Sequence, residues 1–191
     1  MPNPKYLFLS LIAGFLLSGI PGAAVSAAGL DNYDPRYPQR NYRRFLLPNQ
    51  MKVLLISDPG LQRGTASMTV GVGSIHDPPE YQGLAHFLEH MLFLGTGKYP
   101  ESGSYQKFVS THDGFSNAFT LEERTNYHFE IAPGHLEEGL DRFVEFFVNP
   151  LFNQELVERE MKAVDSEHSK NLPVDMRRIS QVKREVYKAG H

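Results

Sequence analysis

Residues 83–95 read GLAHFLEHMLFLG, an apolar stretch interrupted by two histidines and a glutamate. On a helix His86 and His90 stand four apart and Glu89 stands three from His86, so the three polar heads emerge on one face. Leu84, Phe87, Leu88, Met91, Leu92 and Leu94 cover most of the remaining circumference, the pattern of a helix buried nearly all round. Imidazole and carboxylate groups in such surroundings cost on the order of several kcal/mol each unless something satisfies them. Backbone carbonyls can hold a core histidine, and a metal ion can hold the set.

Composition narrows the choice of ligands. The chain has no cysteine, so a metal here must be held by His, Asp or Glu, and disulfides and thiolate chemistry are excluded. A hydrophobic content of 41% with 12% aromatic residues is that of a globular domain with one packed core. The formal net charge of −3 comes from interleaved acids and bases. It offers no basic stripe for nucleic acid and no polybasic face for anionic lipid.

The first 27 residues differ from the rest. Lys5 is their only charge, YLFLSLIAGFLLSGI is apolar, and AVSA ends in small residues suited to a cut after Ala27. The apolar run spans about 15 residues and is closed by Pro21, which is short for crossing a bilayer. Residues 1–27 are therefore expected to be a signal peptide, the product to be exported to a periplasm or secreted, and no stable membrane anchor to remain. Residues 28–44, polar and carrying two prolines in DNYDPRYPQRNYRR, are expected to form an extended leader before a domain over 45–191.

Within that domain FLLPNQMKVLLISD predicts a hairpin around PNQ, and ASMTVGVGSIHD predicts a third strand. The His-bearing helix is expected over 81–95 and a short second helix in SGSYQKFVSTHDG, with a Ser cap. GFSNAFTLEERTNYHFEIA predicts another hairpin around LEER, and helical periodicity follows at 134–148, 153–169 and 174–188. Strands and helices that mix without regular alternation define an α+β fold.

The motif HxxEH arises by chance in roughly 2% of shuffled sequences of this composition, so it needs a third ligand to carry weight. In NQELVEREMKAVDSEHSKNL the positions Leu156, Glu160, Ala163, Val164 and Glu167 follow one inward stripe, which offers Glu160 and Glu167 as candidates. Two histidines and one carboxylate, with a fourth position left for water, is the donor set of a catalytic zinc. Glu89 is placed to take a proton from that water and pass it to a leaving amine. HxxEH is itself an inverted zinc-hydrolase signature.

The chain resembles the insulin-degrading enzyme and pitrilysin family of zinc metalloendopeptidases over roughly residues 42–188. The matching stretches are KVLLISDP, GLAHFLEHMLFLGTGKYP, SNAFT with TNYHFEI, LDRFVEFFVNPLF and AVDSEHSKN. The resemblance implies a mixed, largely antiparallel sheet covered by helices, with one Zn2+ per chain held by His86, His90 and Glu167. It further implies Glu89 as general base and Glu160 as supporting acid. By the same resemblance a peptide substrate adds as a strand beside Asn117, Ala118 and Phe119, and Phe93 reads as a pocket wall by resemblance and as plain core by pattern. Members of the family resemble chains several times longer or paired subunits, so this chain looks like an N-terminal piece, truncated within its first domain, that needs a C-terminal half or a complementary subunit. A zinc-binding but catalytically inactive fragment or interaction domain is the alternative expectation.

Overall fold

The computed structural model describes residues 7–13 and 36–187. Among these residues the strands β1 (Leu7–Ala13), β2 (Asn41–Leu46), β3 (Lys52–Ser57), β4 (Gly64–Val70), β5 (Phe115–Thr120) and β6 (Thr125–Ile131) form one sheet in the order β2-β3-β1-β4-β6-β5. The pairing of β1 with β4 is parallel and the other pairings are antiparallel. The helices are α1 (Leu84–Met91), α2 (Ser104–Thr111), α3 (Leu136–Val148), α4 (Gln154–Asn171) and α5 (Asp175–Val186). The α+β class with a largely antiparallel sheet is as the sequence and the resemblance led us to expect. The chain divides into two units, Met1–Phe152 with the sheet and α1 to α3, and Asn153–His191 with α4 and α5.

The core of the first unit follows from two periodicities. Along β6, Thr125, Tyr127, Phe129 and Ile131 are buried while the residues between them are half-buried, the period of two of a sheet with one face on the core. Along α3, Leu136, Gly139, Phe143 and Phe146 are buried, the period of a helix lying on that face. Gly139 permits the close approach, since a Cβ there would stand 2.8 Å from the Phe129 ring. Val53, Ala66, Met68, Leu92, Tyr105 and Val109 complete the cluster. The opposite face of the sheet is polar, with the Asn126 amide donating to Ser67 Oγ and Thr69 Oγ1, each at 2.8 Å.

Several expected boundaries move. β2 begins at Asn41, inside the segment expected to be a leader, and Arg40 donates to the buried Asp58 at 2.6 Å. A polar sequence suits β2 because it lies at the end of the sheet and is largely exposed. Residues 7–13 of the apolar N-terminal run form β1, and a run of this kind reads equally as a central strand. The rest of the expected signal segment, with the cut after Ala27, lies outside the described residues. The His-bearing helix is shorter than 81–95, since it opens after Gly83 and tightens to a 3₁₀ turn over Leu92–Leu94. α2 opens after Gly103 without a side-chain cap, so the expected serine cap is not formed.

Candidate metal centre and active site

α1 is fixed at its start from outside the helix. Gly83 adopts φ +93°, a conformation that favours glycine, and Asp77 accepts hydrogen bonds from the N–H groups of Gly83 and Ala85, each at 2.8 Å. The helix is not buried all round: Ala85, Glu89 and Met91 are buried, whereas Leu84 and Leu88 are exposed. The reason is that β5 and β6 cover one side of α1 and the short turn over Ser74–His76 another, which leaves the Leu84 and Leu88 face open.

On this helix the three polar residues occupy different surroundings. His86 and His90 are half-buried, with their Nε2 atoms 3.2 Å apart and their rings edge to face at a centroid distance of 4.7 Å. Two imidazole nitrogens bound tetrahedrally at about 2.0–2.1 Å from one zinc stand about 3.3 Å apart, so the pair fits a shared ion. Glu89 is buried, and its carboxylate accepts a hydrogen bond from the Thr120 hydroxyl at 2.5 Å. The buried phenol of Tyr127 has its pKa raised, first by burial and then by the nearby Glu89 charge.

β5 lies at the end of the sheet beyond β6, so its outer backbone edge is free for a further strand among the described residues. Asn117 and Phe119 are exposed on one face of β5, and Phe119 lies 6.2 Å, centroid to centroid, from the His128 ring. Ala118 points to the other face and packs against the core. Phe93 is partly buried and packs against the core too, with Phe146 edge to face at 5.0 Å, and it also lines a small cavity with Tyr99 and Tyr105.

Glu160 and Glu167 lie on α4, whose start is capped by the Asn153 side chain accepting from Glu155 N–H. No residue of α4 is buried, Glu160 is half-buried and Glu167 is exposed. Of the inward stripe read from the sequence, Leu156, Glu160 and Val164 are half-buried, whereas Ala163 and Glu167 are exposed. The set His86, His90 and Glu167 is nonetheless of the residue types and number that can hold a metal ion. Sequence reasoning missed Asp77 and Thr120. The second was legible in principle, since the period of two from Ala118 turns Thr120 inward beside the His-bearing helix.

A helix carrying HxxEH against a largely antiparallel sheet defines the class, that of the inverted-motif zinc metallopeptidases. The chain belongs to the insulinase family, peptidase family M16, which it matches over residues 52–190. It is 48% identical over 164 residues to insulin-degrading enzyme from Homo sapiens, a match covering 85% of this chain and 16% of that protein. It is 48% identical over 166 residues to insulin-degrading enzyme-like 1, peroxisomal, from Arabidopsis thaliana, covering 87% of this chain and 17% of that protein. The crystal structure of pitrilysin is similar at a TM-score of 0.77 and 35% identity, covering 87% of this chain and 17% of that one. The chain thus spans about a sixth of the length of these relatives.

Metallopeptidases of this family use zinc, which agrees with the donor set described above. The relatives also correct one expectation. An exported, periplasmic or secreted location is overturned by insulin-degrading relatives of which one is named for the peroxisome, a compartment inside the cell. Among the described residues no helix is long and apolar enough to cross a membrane.

Proposed function

We propose that the chain carries the zinc site of an endopeptidase that hydrolyses peptides or small proteins. The observation that supports this best is the pair of His86 and His90 nitrogens, 3.2 Å apart, one helical step from the buried Glu89 carboxylate. In this reading His86, His90 and Glu167 hold the ion, and Glu160 supports the site from the same helix as Glu167. A zinc ion there supplies a Lewis acid that lowers the pKa of water to about 7 and polarises a substrate carbonyl.

Glu89 accepts a proton from the attacking water on its carboxylate and delivers it to the leaving amine nitrogen, closing the proton balance of hydrolysis. The peptide lies as an added strand along β5, beside Asn117, Ala118 and Phe119, so that main-chain hydrogen bonds hold it with little demand on sequence. Peptide substrates accord with the names of the insulin-degrading relatives. A second reading is a chain that binds zinc without turnover of its own and needs a complementary part; the exposed position of Glu167 on α4, a helix with no buried residue, favours it.

The experiment is cleavage of an internally quenched fluorogenic peptide by the zinc-loaded chain, alone and with the remainder of a relative supplied. Cleavage that disappears in Glu89→Gln at unchanged zinc content supports the endopeptidase. Zinc binding with no cleavage by the chain alone, and cleavage only when the remainder is supplied, supports the second reading.

A further inference from the structure

We infer that Thr120 is a positioning residue for Glu89, fixing the proposed general base to the strand that receives the peptide; the inference rests on the endopeptidase reading above. Glu89 and Thr120 are 31 positions apart in sequence, on α1 and at the end of β5, and their side chains meet at 2.5 Å. Among the described residues the Thr120 hydroxyl is the hydrogen-bond donor to this carboxylate.

Proton bookkeeping fixes the direction of that bond. Thr120 carries one hydroxyl proton and has two neighbours, Glu89 Oε2 at 2.5 Å and Thr125 Oγ1 at 3.4 Å. The Thr125 hydroxyl donates to the Val72 carbonyl at 2.9 Å, so it has no second proton for Thr120. The Glu89 carboxylate oxygen, the nearer of the two neighbours, accepts from the Thr120 hydroxyl. The Thr120 proton therefore belongs to Glu89.

The anchor is rigid because the hairpin around it is rigid. Thr120 and Thr125 are register partners, and the loop between them is closed by Leu121 N–H donating to the Arg124 carbonyl at 2.8 Å. The same loop is tied down by Ser74 and Ile75, whose N–H groups donate to the Leu121 and Glu122 carbonyls at 3.0 and 2.9 Å. A glutamate has three side-chain torsions to settle, and a fixed donor on one carboxylate oxygen selects one orientation and leaves the other oxygen for a proton. Because β5 is also the strand proposed to hold the peptide, one bond places substrate and base in a common frame.

The test uses the full chain with Thr120→Val, which removes the hydroxyl at constant shape, and Thr120→Ser, which keeps it. Without zinc, proton NMR should show a resolved, slowly exchanging Thr120 hydroxyl that vanishes in Thr120→Val and shifts in Glu89→Gln. With zinc, Thr120→Val should lower kcat on a fluorogenic peptide by about tenfold to a hundredfold, with KM and zinc content little changed. Thr120→Ser should restore most of that loss. A Thr120 hydroxyl insensitive to Glu89→Gln, or full turnover in Thr120→Val where Glu89→Gln is inactive, overturns the assignment. Full turnover in Glu89→Gln would overturn the endopeptidase reading itself, and this inference with it.

Discussion

α1 and α4 carry the residues proposed for the same chemistry, but they are supported in opposite ways. α1 is capped by Asp77, packed by β5 and β6 and pinned through Thr120, and three of its eight residues are buried. α4 spans 18 residues and has none buried, with a single Asn153 cap at its start. The lesson concerns what holds a functional group in place. Glu89 inherits its position from a packed sheet, whereas Glu167 inherits its position from a helix whose own burial contributes little.

Core truncation should separate the two units most strongly. Phe143, 1% exposed, sits at the centre of the aromatic cluster, and Phe143→Ala should cost roughly 3–5 kcal/mol of unfolding free energy. Met161 on α4 is 56% exposed, and Met161→Ala should stay within about 0.5 kcal/mol. Denaturant unfolding of the full chain measures both, and equal costs would break the comparison.

The two carboxylates of α4 should divide next. Glu167→Gln removes a proposed ligand and should nearly abolish zinc binding, whereas Glu160→Gln removes a supporting group and should weaken affinity about 10- to 100-fold. Zinc titration against a competing chelator reads the difference. Equal affinities in the two variants would refute the assignment of ligand and support.

A smaller effect sharpens the account of the first unit. The Arg40 guanidinium, and after it the Gly60 N–H, hold the Asp58 carboxyl below its usual range. A depressed carboxyl contributes stability that is present above its unfolded pKa of about 3.9 and is lost as pH falls through the lower folded value. Thermal melts should therefore weaken on acidification below about pH 4, and Asp58→Asn should flatten that limb. An unchanged acid limb in the variant would remove Asp58 from the explanation.

What was legible in the sequence follows the same division. The alternation in TNYHFEI and the helical stripe of LEEGLDRFVEFFV announced β6 and α3 because each buries one regular face, and periodicity reports burial. HxxEH announced the histidine pair because four-residue spacing on a helix is enough to bring two heads together. The α4 stripe was legible in part, since Leu156, Glu160 and Val164 are half-buried on it, but a pattern shows which face seeks cover and not how much cover is present. The apolar run around residues 7–13 was ambiguous, because an export signal and a central strand are written in the same residues. Asp77 and Thr120 act across the fold, at six to eight and at 31 positions from their partners; the period of two turns Thr120 inward, but no local pattern names either partner.

The central claim is that His86 and His90 bind zinc while Glu89, between them in sequence, does not. The most direct measurement is the zinc content of the purified full chain beside Glu89→Gln and His90→Ala after dialysis against the metal. The account predicts about one ion per chain in the first two and a near-empty site in His90→Ala, which loses a ligand outright. Full zinc in His90→Ala, or its loss in Glu89→Gln, would contradict it.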